Sequence, residues 1–307
     1  MGLAMASNLQ NYLVSISGLP LAYNNRTMSR GEPLAQLGAK PYSSVTDLVA
    51  NCDLIFISLS DDAAVTQTIT SLLTQRPNLS DKTIIDTSTV HPNTTAQLTT
   101  ALTAAHAHFI AAPVFGATPV AEAGQLLFAL AGPTEGITLA KPYIEACLAR
   151  AVINVSATPR DATLLKTTGN FITAALAETV AEAHVFAEKA GLNAQVLEQL
   201  IVRNYGAYAG SISEKLTQGV YAPPKGERAR SDIGLAVKDV GHGVESAREV
   251  GCRLEVAEVT LRRLEKAREW GAREGRALDS SAVYGVLRQE VGLGFEREDV
   301  LQRRTDA

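Results

Sequence analysis

The chain has 307 residues, 46% of them hydrophobic, and a formal charge of −4. That length suits two domains better than one, and no run of 18 apolar residues is available to span a bilayer. Net acidity without a clustered cationic face argues against an electrostatic grip on nucleic acid. The three cysteines, Cys52, Cys147 and Cys252, show neither CxxC spacing nor a neighbouring His pair, so no disulfide framework and no metal site is expected, and all three read as buried thiols. No basic n-region with an apolar core stands at the N-terminus, which makes a cytoplasmic location the expectation. Sixteen of the 28 basic residues fall between Lys225 and Arg304, interleaved with Glu and Asp as in REWGAREGRA, a pattern that predicts a solvated helix face.

Along the first 112 residues, short apolar runs alternate with polar helical stretches, the pattern of a parallel sheet built from βαβ units. Strands are predicted at residues 21–23, 54–58, 83–86 and 109–112, each continuously apolar as strands buried on both faces are. Residues 113–118 read as a turn-rich loop, and residues 126–131 as a further strand ended by Gly132-Pro133. From Asp161 the period changes. Leu164, Leu165, Phe171, Ile172, Ala175, Leu176, Val180 and Val185 are spaced for one apolar face of a long helix that stops at Gly191. Further helices are predicted at 194–205, 232–250, 254–269 and 280–291. The fold class is therefore an α/β Rossmann-like parallel-sheet domain over residues 1–158, joined by the long helix to an all-α domain over residues 159–307.

Several short segments carry chemistry. MGLAMASNL at the start looks like the tail of a dinucleotide fingerprint, in which Gly2 lets a helix pack closely on a strand while the helix N-terminus faces a pyrophosphate. The apolar strand and the two glycines that would precede it are absent, so a shortened fingerprint is expected. Asn24-Asn25-Arg26-Thr27 follows the first predicted strand, where a doubly wound domain reads the ribose. An acid there would favour NAD, whereas the fixed fork of Arg26 suits a 2′-phosphate and so NADP. Asp86-Thr-Ser-Thr-Val-His-Pro92 follows a strand at the carboxyl edge of the sheet, where ligands of open α/β folds bind. Lys166 and Asn170 stand four apart and share one helix face. Reduction of a carbonyl needs a proton for the developing alkoxide, and a partly buried lysine can supply it.

The order MGLAMASNL, YNNRT, LIFISLS, IIDTSTVHP, APVFGA, KTTGN and VKD resembles the β-hydroxyacid (3-hydroxyisobutyrate) dehydrogenase family from residue 1 to about 290. The resemblance implies Lys166 as catalytic acid/base with Asn170 orienting the substrate oxygen. Gly2, Asn25, Arg26, Thr27, Leu59, Ser60, Thr89 and Lys238 are implied at the cofactor, Lys238 closing over it. Ser88 and the loop Val114, Phe115, Gly116 and Ala117 are implied at the substrate. His91 occupies a variable position and is expected to cap a helix or lie at the surface. His106, His108 and His184 have no evident partners.

The loop departs from the family's usual Pro-Val-Ser-Gly-Gly: Phe115 replaces the serine and Ala117 the second glycine, giving a bulkier, more apolar pocket. The expected protein is thus an NADP-linked oxidoreductase, with NAD possible, acting on a small β-hydroxy acid or semialdehyde and assembling as a homodimer or homotetramer without membrane or nucleic-acid partners. Two alternatives stand beside this: an imine or bulkier carbonyl reductase on the same fold, and a non-catalytic or N-terminally truncated family member.

Overall fold

The computed structural model describes residues 1–75 and 78–306. They form two compact units, Met1–Thr167 and Thr168–Ala307.

The first unit opens with helix α1 (Gly2–Ser15), followed by β1 (Ala22–Tyr23), α2 (Glu32–Gln36), β2 (Lys40–Pro41), α3 (Val45–Ala50), β3 (Leu54–Ile57), α4 (Asp62–Gln75) and β4 (Thr83–Asp86). It continues with α5 (Pro92–Ala104), β5 (His108–Ala111), β6 (Val114–Phe115), α6 (Thr118–Glu122), β7 (Leu126–Ala131), α7 (Thr134–Cys147) and β8 (Ala149–Ser156). Helix α8 (Pro159–Lys189) begins here and runs on into the second unit.

Strands β3, β4 and β5 pair in parallel, as predicted, and every residue of β4 is buried. Two features add detail to the predicted parallel-sheet domain. Among the described residues β1 pairs with β2 alone, in a separate two-stranded sheet, so β3 lies at the edge of the larger one. β7 also runs antiparallel to both β5 and β6. The link from β5 to β7 holds only β6 and the single short turn of α6, too little for a parallel crossover, whereas the 14 residues of α7 suffice to bring β8 parallel to β7.

Helix α1 is an integral part of this unit. Met5 and Leu9 are buried against β5 and β7 residues such as Ile110 and Phe128. Gln10, 1% exposed, accepts from Leu21 N at 2.8 Å and donates to Leu37 O at 3.0 Å, while Asn8 donates to Ala121 O at 2.8 Å.

The second unit contains the remainder of α8, then α9 (Ala194–Thr217), α10 (Ile233–Glu249), α11 (Glu255–Glu274), α12 (Val283–Glu290) and α13 (Glu298–Thr305). Its core gathers Val180 and Val185 of α8 with Ile212, Leu216, Val240, Val244, Leu264 and Tyr284. Gly191 just beyond α8 has φ +78°, and α9 carries a non-helical residue, Gly206, at φ +84°.

Several predicted details change. Ile172 is 60% exposed rather than part of the buried face of α8. α9 and α11 extend beyond the predicted ends, and α13 was not predicted. Cys252 is exposed and Cys52 and Cys147 are half-buried, Cys52 just beyond the end of α3 and Cys147 at the last residue of α7, where a helix end is less fully covered than its middle. The basic C-terminal portion is only partly a solvated face, since Arg288 is 2% exposed and paired with Glu188, and Arg276 pairs with Glu296. No helix among the described residues is long and apolar enough to cross a membrane.

Candidate active site

The carboxyl ends of β3 and β4 are tied together by their own side chains. Thr87 donates to Ile57 O through both its amide (2.8 Å) and its hydroxyl (2.7 Å). Leu59 N donates to Ser88 Oγ at 2.9 Å, and Ser88 N donates to Asp86 Oδ1 at 2.9 Å. Leu59 and Ser88, assigned from sequence to cofactor and substrate, are therefore neighbours, and Ser88 is buried with its hydroxyl hydrogen still able to donate elsewhere. Thr89 beside it is half-buried, and Ser60 Oγ donates to Asp61 Oδ2 at 2.7 Å. His91 caps α5 by accepting from Asn93 N at 3.2 Å; it is 8% exposed, so the capping expectation holds and the surface one does not. His184 is also buried, bonded to Ser213 Oγ at 2.7 Å and lying edge-on to Tyr284.

Gly2 begins α1 at the end of β3: a Cβ placed on it would meet Ser58 Oγ at 3.2 Å, tighter than a side chain ordinarily tolerates. α1 has no side-chain cap, so its first-turn amides are not satisfied by a neighbouring side chain and suit an anion. Asn25, Arg26 and Thr27 follow β1 as an exposed turn in which Asn25 Nδ2 donates to Thr27 O at 2.6 Å, leaving the Arg26 fork at the surface. An uncapped helix start packed against a strand end, with an exposed guanidinium beyond the next strand, fits the phosphates of a dinucleotide.

The segment predicted as a loop after β5 is ordered. Val114 and Phe115 pair with Phe128 and Leu127 of β7. Gly116 has φ +136°, and a Cβ there would come within 2.8 Å of Leu126 Cδ2, so only glycine serves at this turn. Ala117 begins α6 as its N-cap without a side-chain bond.

Lys166, on α8 but within the first unit, is 8% exposed, and its Nζ lies 4.4 Å from the centroid of the Phe115 ring. Sequence reasoning named both residues; it had no means of pairing them across fifty positions. One turn further along α8, in the second unit, Asn170 Nδ2 donates to Asp239 Oδ2 at 3.0 Å, and Lys238 Nζ lies 2.9 Å from Asp239 Oδ1. Asp239 thus joins two assigned residues. In the sequence it is the residue after Lys238 in the VKD motif, and that adjacency is the one signal available.

Comparison with known proteins agrees with this layout. Residues 1–157 match the NAD binding domain of 6-phosphogluconate dehydrogenase, and residues 161–287 match the NAD-binding domain of NADP-dependent 3-hydroxyisobutyrate dehydrogenase. The chain is 31% identical over 297 residues to the NADH-dependent oxidoreductase ucdB of Aspergillus ustus, covering 96% of this chain and 98% of that one. In fold it is similar to Mycobacterium tuberculosis 3-hydroxyisobutyrate dehydrogenase solved with L-serine, with a TM-score of 0.78 at 23% identity over 94% of this chain and 96% of the other. It is also similar to a reductive aminase from Aspergillus terreus solved with NADPH and ethyl-5-oxohexanoate, with a TM-score of 0.57 at 21% identity over 92% and 94%. With a Rossmann-like sheet unit, a helical unit and matches that span almost the whole chain, this protein belongs to the 3-hydroxyisobutyrate dehydrogenase-like family of NAD(P)-dependent oxidoreductases acting on CH–OH groups.

Proposed function

We propose that the chain interconverts a β-hydroxy acid and the corresponding semialdehyde-like carbonyl, with Lys166 as proton donor and acceptor and NADP as the preferred cofactor. One observation carries the reading: Lys166 is almost fully buried, and its Nζ faces the β6 segment that corresponds to the family's substrate loop. When bound, the nicotinamide cofactor supplies or accepts the hydride. In the reducing direction the carbonyl oxygen then gains negative charge, and Lys166 Nζ delivers the proton it needs; in the oxidising direction the same nitrogen, neutral, removes the hydroxyl proton. Ser88, whose oxygen already accepts from Leu59 N, donates its hydroxyl hydrogen to the substrate. Asn170 orients the reacting oxygen without adding charge, held by its amide bond to Asp239.

Lys166→Ala is expected to abolish turnover while NADPH binding persists; an unchanged rate would overturn the mechanism. The cofactor preference rests on Arg26, and because the fungal relative is named for NADH, titration of the protein with NADPH and NADH is the deciding measurement. Tighter NADPH binding that Arg26→Ala erases is the expected result, and equal affinities in the unchanged protein would remove the preference.

A second reading, reduction of an imine or a bulkier carbonyl, is supported by Phe115 and Ala117, which deprive the substrate loop of a hydroxyl donor and add an aromatic ring. Comparing rates on succinic semialdehyde and on 1-pyrroline separates the two. A homodimer or homotetramer is the assembly we propose, supported by exposed apolar side chains on α8 and α9, among them Phe186 at 75%, Tyr205 at 66% and Leu200 at 55%. A monomeric mass in solution would contradict it.

A further inference from the structure

Beside the buried Lys166 this chain places an aromatic ring at position 115, and that ring rests on small apolar side chains. Phe115 packs on a cluster whose buried members are all alanines: Ala111 of β5, Ala129 and Ala131 of β7, and Ala162 at the start of α8. Each alanine stops at its Cβ, so four of them from three elements present a bed of small side chains to the ring. Gly116, which cannot be replaced without striking Leu126 and Val120, fixes the backbone that delivers Phe115 to that bed. The ring therefore has little freedom, and the Lys166 Nζ lies 4.4 Å from its centroid, within the range at which a cation is drawn to the negative face of an aromatic ring.

We propose that Phe115 is a positioning residue for Lys166, its ring face holding the ammonium at one place beside the substrate loop. The inference rests on the assignment of Lys166 as acid/base given above. Phe115 itself transfers no proton. Its contribution is to limit the long, four-carbon lysine stem to the few rotamers in which Nζ meets the ring, and so to present the proton at a constant position when the carbonyl oxygen begins to charge. Because Lys166 is buried and the half-buried ring rests on uncharged side chains, the attraction is screened less than it would be at a fully exposed site. A displacement of about 1 Å of an acid/base group can reduce a rate by about 100-fold, so the expected cost of releasing the ammonium falls on turnover more than on substrate binding.

The test combines a spectroscopic and a kinetic readout. In protein labelled with 13C at lysine, the ε-methylene signal identified as Lys166 by its absence in Lys166→Arg is expected upfield of the other lysines, displaced by the ring current. It should stay there in Phe115→Tyr and return to the ordinary lysine position in Phe115→Leu, with thermal midpoint and NADPH affinity of both variants close to those of the unchanged chain. A Lys166 signal at the ordinary position in the unchanged protein, or one unmoved by Phe115→Leu, would overturn the proposal whether or not a substrate is in hand. On whichever of succinic semialdehyde and 1-pyrroline the protein reduces, Phe115→Leu is expected to lower kcat at least about tenfold with KM within about twofold, and Phe115→Tyr to restore most of the loss. A Phe115→Leu variant with unchanged kcat would overturn the positioning role. Turnover surviving Lys166→Ala would instead overturn the acid/base assignment, and the ring-current result would still stand on its own.

Discussion

In the first unit the large side chains most completely buried are apolar, Phe109, Phe128, Ile84, Ile85, Ile110 and Leu130 among them, whereas in the second they are Arg288, Tyr221 and Tyr284. Both units must satisfy backbone groups removed from water, and the contrast shows how differently a sheet and a helical array do so. Ladder bonds pair the carbonyls and amides of β3, β4 and β5 and of β7 with β8, so most side chains between the strands fill space, with Thr87 bonding Ile57 O only at the carboxyl end. Helix ends and the irregular links between them leave carbonyls unpaired, and in the second unit side-chain donors reach them. Arg288 Nε donates to Gly294 O at 2.8 Å, Arg276 Nη2 to Ala222 O at 2.7 Å and Pro223 O at 2.6 Å, and Tyr221 Oη to Phe295 O at 3.0 Å. Burial pushes the Tyr221 phenol well above its usual range, so it remains a donor at any ordinary pH. The arginine-rich C-terminal composition is in this sense a structural device as much as a solubilising one.

Large changes should separate the two strategies. Phe128→Ala, which empties a fully buried position in β7, is expected to destabilise the first unit by about 4 kcal/mol. Arg288→Ala removes no large apolar volume yet takes the donor from the Gly294 carbonyl and the strongest partner from Glu188, which keeps Tyr284 Oη at 3.3 Å and Arg297 at 3.9 Å, and a loss of about 3 kcal/mol in the second unit is expected. Urea unfolding followed by hydrogen exchange, read separately over residues 1–167 and 168–306, checks both. If Phe128→Ala lowered protection chiefly in the second unit, or Arg288→Ala cost less than an exposed arginine replacement does, the contrast would fail.

A smaller effect sharpens the comparison through pH. Burial holds the His184 imidazole at about 4, below its ordinary 6.5, with the Arg297 charge acting in the same direction. The folded chain therefore refuses a proton that the unfolded chain accepts. Stability from this group is complete above pH 6.5 and is lost as pH falls toward 4, by up to about 3 kcal/mol. His184→Gln should reduce the difference between urea midpoints at pH 7 and pH 4.5. An identical pH dependence in the two proteins would show that the buried histidine is not what makes the second unit acid-sensitive.

Much of the architecture was legible because it depends on local period. The apolar runs at β4 and β7 have the predicted bounds, and the 3.6-residue spacing from Asp161 onward marks α8 to within two residues. β2, β6 and β8 were not legible. The first two have two residues each, too short for any period, and β8 is half exposed along its length, so its ARAVINVS carries no continuous apolar signal and its strand character comes from pairing with β7. The separation of β1 from the larger sheet is likewise invisible locally, since the same apolar residues would suit either partner. Among the candidate site residues, Ser88, Phe115, Lys166 and Asn170 could each be singled out by motif, while the contacts Ser88–Leu59, Phe115–Lys166 and Asn170–Asp239 could not.

Residue order alone thus determined the class of each half and the chemical types available at its site: apolar strands followed by helices, one lysine and one asparagine a turn apart, an arginine in place of an acid after the first strand. These follow from periodicity and from side-chain chemistry, which are properties of neighbours in the chain. Only the tertiary structure decided which way β7 runs, which arginines cap which carbonyls, and that the ring of Phe115 lies under the ammonium of Lys166. The strand pairing and the Phe115–Lys166 contact join residues well separated in the chain, and they are set by close packing and by the pairing of buried polar groups rather than by neighbours in sequence.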